Sequence, residues 1–230
     1  MRILKKIGTI LALLVGIVAL TLGLFVLIQN IQEKIFIPDK YLVWIFKGPY
    51  NRLVFIFEFY LLGFCMINIK KIKYNPDAVA INTWFINKIK KYKKTFILLN
   101  IILIYVIMVN ITVITNDKII DYSILKPLGK DYSYEDVVKV KTGFYGVRIP
   151  FFTDKGEFYY IIELKDGSKV NLNDTLGGTY EELDTYEEIE IFDKDLMSLG
   201  VEKESSLKNI DKCDFDKVYI ERFKRIIDNK

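Results

Sequence analysis

Three groups of residues in this 230-residue chain are of types that could do chemistry. Glu58 stands alone among apolar neighbours in the run 53–69. Dehydrating a carboxylate in such surroundings is costly, so an ionisable group there marks a functional candidate. Counted five residues from the outer end of that run, it would sit about 7.5 Å deep at the helical rise, close enough to snorkel toward the headgroups. Asn110, five residues from the far end of a third apolar run, would share that depth, and its amide could hydrogen-bond the Glu58 carboxyl. The second group is acidic: Glu181, Glu182, Asp184, Glu187, Glu188, Glu190, Asp193 and Asp195. It lacks the Asp-x-Asp-x-Asp-Gly loop that converges oxygens on calcium, so it reads as the solvated face of a helix. The third, Ser205, Ser206 and Lys208, has the residue types of a serine-lysine pair, but its setting is polar and unpatterned and no such pair is expected. The chain contains no histidine, which excludes imidazole as base or metal ligand and with it the Ser-His-Asp and Cys-His mechanisms. No catalytic, metal or cofactor site is expected.

The elements that would position these groups fall into two halves. Residues 1–115 hold 15 Lys and Arg against 4 Asp and Glu, whereas residues 116–230 hold 18 against 25. A basic, apolar half beside an acidic one suggests contact with a membrane surface and no nucleic acid. Three apolar runs, at about 7–29, 53–69 and 96–115, are each long enough to cross a hydrocarbon core of about 30 Å. The sequence thus predicts an all-α membrane part of three transmembrane helices over residues 1–115, followed by a small α+β domain over 116–230 with antiparallel strands and two amphipathic helices. The first run follows the basic leader Arg2, Lys5 and Lys6, yet it is too long for a signal peptide core and lacks a small-residue cleavage site, so it reads as an uncleaved anchor. Along it, Gly8, Ala12, Gly16, Ala19 and Gly23 recur at spacings of three and four, a stripe of small residues on which another helix could pack closely. The 70–94 loop carries eight lysines against Asp77 alone. The positive-inside rule therefore places the N-terminus and this loop in the cytoplasm and the C-terminal domain outside, in a multi-pass protein of the cell membrane. Within the loop, Ile81, Phe85, Ile89 and Tyr92 share a helical face beside Trp84, an interfacial arrangement that would set the lysines against anionic lipid.

In the acidic half, two alternating runs flank Asp166-Gly167. A three-residue loop, Lys165 to Gly167, opposes Ile162 to Val170, Tyr160 to Leu172 and Glu163 to Lys169, giving one apolar face and one cross-strand ion pair. Further strands are expected at Val137–Thr142 and Phe144–Phe152. Thr185-x-x-Glu188 reads as a capping box opening a helix at about 186–199 that ends at Gly200. After Asp214, Phe215, Tyr219, Phe223, Ile226 and Ile227 define a second amphipathic helix, with Glu221 four residues before Arg225. Cys65 and Cys213 lie in different halves and are not expected to form a disulfide.

The series Tyr132-Ser-Tyr-Glu-Asp-Val137, then Tyr159 to Val170 around the Asp-Gly turn, then a helix opening Tyr186-Glu-Glu-Ile189, resembles the bacterial pleckstrin-homology-like domains of small membrane proteins over residues 118–200. The resemblance implies a binding or interaction module and supplies no functional residues. The sequence reading is therefore a non-enzymatic membrane protein whose outer domain binds or senses a partner, as an accessory subunit of another membrane protein or with a second copy of itself. The rival is a membrane-associated enzyme working through carboxylate, Tyr, Ser or Lys.

Overall fold

The computed structural model describes residues 2–60, 83–84, 87–88, 91–149, 153–172, 177–180 and 184–229. They form two compact units, one made of residues 1–31 and 53–108, the other of 32–52 and 109–230.

The described residues of the first unit are mostly helical. Helix α1, Arg2–Phe36, carries the apolar segment Leu14–Phe36, whose 23 residues are long and apolar enough to cross a membrane, as an anchor or as a signal sequence. Residues 54–60 are also helical. Helix α2, Lys93–Val109, has 17 residues. Phe25 meets Phe55 edge-on at 5.7 Å, and Tyr60 meets Phe96 at 5.8 Å.

The expectation of three transmembrane helices is not met. Among the described residues α1 alone is long and apolar enough to span. The second expected span has residues 61–69 outside the described residues. The third ends early for a physical reason: the β-branched stretch Ile111-Thr-Val-Ile114 leaves the helix and becomes strand β2, which suits such residues. All four of its residues are buried. What remains helical rises about 25 Å at 1.5 Å per residue, short of the core thickness the sequence reading assumed.

The second unit is a mixed α/β fold with two sheets. Strand β2 pairs with β1, Val43–Phe46, in the register Val43 to Ile114 and Phe46 to Ile111. The segment 43–46 thus supplies a central strand where the sequence suggested a loop between spans. The first sheet has the order β4-β3-β2-β1-β8, with β3 at Lys118–Ser123, β4 at Lys126–Ser133 and β8 at Gly177–Thr179, all neighbours antiparallel. The second has the order β7-β6-β5-β9, from β5 Val137–Phe144, β6 Phe158–Leu164, β7 Lys169–Asn171 and β9 Glu202–Ser205. In it β9 runs parallel to β5.

The β6–β7 hairpin has the expected register, with Ile162 opposite Val170, Glu163 opposite Lys169, and the Leu172 amide donating to the Tyr160 carbonyl at 2.7 Å. Gly167 takes the left-handed conformation at φ 81° that the three-residue loop requires. Helix α3 runs Thr185–Ser198, and its cap is Asp184, whose side chain accepts from the Tyr186 amide at 2.8 Å, so the cap lies one residue before the expected one. Helix α4 is Lys217–Asp228. Glu221 pairs with Lys224 at 2.8 Å, while Arg225 turns to Glu190 at 3.0 Å instead of to Glu221. Side chains from both sheets and both helices share one core, centred on Phe158, Tyr160, Ile189, Phe192 and Phe223, with the rings of Phe158 and Phe223 stacked at 4.2 Å.

Candidate functional site

The most deeply buried ion pair among the described residues of the second unit is held by four elements. Lys203 of β9 donates to both carboxylate oxygens of Asp193 in α3, at 2.6 and 2.7 Å, and to the Ile226 carbonyl of α4. Tyr160 of β6 donates to Asp193 Oδ1 at 2.8 Å, and Asn229 to Oδ2 at 2.7 Å. The Lys203 and Asp193 side chains are 2% and 1% exposed. Burial pushes the Lys203 amine below its ordinary value, against the pull of Asp193, and pushes the Tyr160 phenol well above its own. Each of these groups has its partners and the cluster is closed to solvent, so it ties α3, β6, β9 and α4 together without offering room for a substrate. A second network does the same at the other sheet: Lys47 Nζ lies 2.6 Å from Asp121 and 2.7 Å from the Tyr122 carbonyl, and Thr112 donates to the same carboxylate at 2.9 Å.

Solvent reaches the outer face of the second sheet. Because side chains alternate along β6, Tyr160, Ile162 and Leu164 turn to the core, while Tyr159, Ile161 and Glu163 share the opposite face. There Tyr159 and Tyr145 bring their rings within 4.8 Å, tilted by 43°, and Asn171 donates to the Tyr145 hydroxyl at 3.3 Å. Gly143 makes this possible, since a Cβ there would stand 2.8 Å from the Tyr159 hydroxyl. The two rings, Lys141, Ile161, Glu204 and Ser206 border an open trough of about 400 Å³, within the size range of binding clefts.

The charges of this face answer one another. Lys141 lies 3.1 Å from Glu163 and 3.8 Å from Glu204; Lys139 reaches Glu202 at 2.8 Å and Glu204 at 3.2 Å; Lys169 reaches Glu163 at 2.9 Å. Burial raises both phenols above 10.0, with Glu204 adding to the effect at Tyr159 and the Asn171 hydrogen bond opposing it at Tyr145. Near neutral pH both therefore stay protonated, as hydrogen-bond donors with apolar ring faces rather than phenolate bases.

The residues singled out from the sequence lie elsewhere. Glu58 is buried and lies 2.7 Å from the Thr21 hydroxyl, which also contacts the Ile17 carbonyl at 3.0 Å. Asn110 belongs to the second unit, is buried, and accepts from the Lys47 amide at 3.0 Å through its carbonyl. Beside Gly8, Gly16 and Gly23 an added Cβ would meet no heavy atom within 4 Å, and Ala12 and Ala19 are exposed. Trp84 and Tyr92 are exposed, with Lys88 5.6 Å over the Trp84 ring and Lys91 5.3 Å over that of Tyr92. Ile81, Phe85 and Ile89 lie outside the described residues. The acidic cluster is not uniformly a solvated face: Glu188, Glu190 and Asp193 are buried. Arg225 grips Glu190 through two bonds of 3.0 Å, and Arg222 reaches Asp184 at 3.0 Å. Among the described residues no group of His, Cys, Asp or Glu is placed to hold a metal ion. Ser206 borders the trough, where its hydroxyl accepts from the Lys208 amide at 3.1 Å in a turn. Sequence reasoning missed Tyr145 and Tyr159 as a pair; the signal available was the alternation that sets Tyr159 and Tyr160 on opposite faces. The chain matches no family model, and no curated protein or solved structure is significantly similar to it.

Proposed function

We propose that this protein is a membrane-anchored, non-enzymatic binding module: α1 holds it in the cell membrane, and the second unit, on the extracytoplasmic side, receives a segment of a partner protein on the outer face of its second sheet. The observation that carries the reading is the Tyr145–Tyr159 pair over the trough. Rigid phenols offer apolar area and a donor at small entropic cost, which is why tyrosine is enriched where proteins bind one another. An open trough with matched charges suits a protein segment better than an enclosed small molecule. The hairpin at Asp166-Gly167 and the helix that follows it support a pleckstrin-homology-like interaction module. Burial raises both phenols, which disfavours phenolate base chemistry at this trough near neutral pH.

One strand supports the proposed side of the membrane. A basic leader, Arg2, Lys5 and Lys6, holds the start of α1 in the cytoplasm, so the residues that follow Phe36 emerge outside. Strand β1 is among them, and it pairs with both β2 and β8, which draws the whole second unit to that side. The basic 70–94 segment is proposed to meet anionic lipid, as its exposed Trp84 and Tyr92 suggest. A cysteine at the exposed position Lys155, in a chain with Cys65 and Cys213 replaced by Ser, is expected to react with an impermeant thiol reagent in intact cells; reaction only after lysis would place the unit inside. The variant Tyr145→Ala/Tyr159→Ala is expected to melt like the parent and to lose the protein that co-purifies with the parent from native membranes. Undiminished co-purification would remove the trough from the binding surface.

A further inference from the structure

The second unit carries another surface that partner binding at the trough does not use. Strands β3 and β4 are joined by the two-residue turn Ile124-Leu125, closed by Ser123 opposite Lys126. Such turns ordinarily carry Gly, Asn or Asp, which accept positive φ and face water well. Here neither residue has a positive φ, and the tip presents Leu125 at 91% and Leu128 at 94% exposure, with Ile124 beside them at 38%. Leu125 and Leu128 are the most exposed of the large apolar side chains described.

The place of this tip is fixed within the same unit. Tyr122, two residues before the turn, donates its hydroxyl to the Phe36 carbonyl at 3.0 Å, and the two rings meet edge-on at 5.1 Å. Phe36 is the last residue of α1 and the end of its apolar segment. From Tyr122 to Leu125 the chain can extend only about 10 Å, so the bare leucines lie beside the point where the apolar segment ends. The hairpin is held there closely. Gly129, at φ 80°, crosses the Tyr122 ring so tightly that a Cβ would stand 2.8 Å from it, and Lys47 bonds the Tyr122 carbonyl at the base. The nearby cations already have partners: Lys118 with Asp131 at 2.5 Å, Lys130 with Asp166 at 2.6 Å, Lys126 at 3.7 Å from the same carboxylate, and Lys47 with Asp121 at 2.6 Å.

We propose that the β3–β4 tip, through Ile124, Leu125 and Leu128, inserts into the interfacial layer of the bilayer, beside the outer end of α1. The inference rests on the reading of α1 as an anchor. Insertion here is driven by apolar side chains, and since each nearby lysine already has a carboxylate within 4 Å, with Lys126 and Lys130 sharing Asp166, it does not depend on an anionic headgroup.

The test uses the full chain with Cys65 and Cys213 replaced by Ser, reconstituted in phosphatidylcholine vesicles, with single cysteines carrying an environment-sensitive fluorophore. Positions 22, 128 and 218 are compared; Leu22, Leu128 and Val218 are all exposed, so none of the three substitutions disturbs the core. Spin-labelled lipid is expected to quench the probes at 22 and 128, with a blue-shifted emission at 128, and to leave the probe at 218 untouched. Adding phosphatidylglycerol is expected to leave the signal at 128 unchanged. Quenching at 22 with a water-like, unquenched probe at 128 overturns the inference while α1 remains an anchor. A blue shift at 128 without lipid quenching overturns it in favour of a protein contact. Absence of quenching at 22 overturns the anchor and, with it, the inference.

Discussion

Tyr159 and Tyr160 are neighbours in one strand, and their environments could hardly differ more. Tyr160 is fully buried and donates to Asp193 inside a closed network with Lys203, Asn229 and the Ile226 carbonyl. Tyr159 lies half-buried on the opposite face, its ring tilted against that of Tyr145 at the edge of an open trough. One face of the sheet spends its polar groups on holding four elements together; the other keeps an aromatic pair and balanced charges at the surface. Substitutions at the inner face should therefore change stability, and substitutions at the outer face should change recognition alone.

The largest effect is expected from Asp193→Ala. It leaves the Lys203 ammonium buried without its counter-charge, a change that costs about 3–5 kcal/mol when a buried pair is broken and a large part of a small domain's stability. Thermal melting of the purified protein should show a strongly lowered transition or none. The double variant Asp193→Leu/Lys203→Met should recover most of the loss, because it removes both buried charges. If the double variant were as unstable as the single one, the ion pair would not be the cause.

A smaller effect concerns acid. Glu190 is held below its ordinary value of 4.5 chiefly by its hydrogen bond to Arg225, with Lys194 adding to the shift. A carboxyl whose folded pKa is depressed stabilises the fold above its unfolded pKa, and that contribution is lost as pH falls through the folded value. Stability followed from pH 6 downward should thus fall below about 4.5, and Glu190→Gln should flatten this limb while slightly lowering stability at neutral pH. An acid limb identical in both proteins would assign the loss to other carboxylates. Smallest of all, Glu163→Gln on the outer face should leave the melting transition within error, since exposed ion pairs contribute little.

How far these faces were legible in the sequence depends on the range of the interactions. The β6–β7 hairpin could be read with its register, because alternation and the Asp-Gly turn lie within fifteen residues of one another, and the two amphipathic helices showed their apolar faces in the same local way. Strand β1 could not: Val43-Trp-Ile-Phe46 has the residues of a strand, but its partners, Ile111–Ile114 and Gly177–Thr179, lie far along the chain. For the same reason Ile111–Ile114, apolar and next to a helix, read as the end of a membrane span. Length and hydropathy do not distinguish a buried strand from the last turns of a spanning helix. Glu190 and Asp193 read as solvated because their partners, Arg225 and Lys203, come from α4 and β9. The tyrosine pair was missed because Tyr145 follows β5 and meets Tyr159 only through the β5–β6 pairing, where Gly143 lies opposite Tyr159.

The contrast between the two faces can be tested most directly by site-specific photo-crosslinking in native membranes. A photoreactive residue in place of Ile161, on the trough, is compared with one in place of Val218, an exposed position of α4. The account predicts a discrete crosslinked product from position 161 that disappears when Tyr145 and Tyr159 are both replaced by Ala, and none from position 218. A product of equal yield from both positions, or one at 161 that survives removal of the two tyrosines, would contradict it.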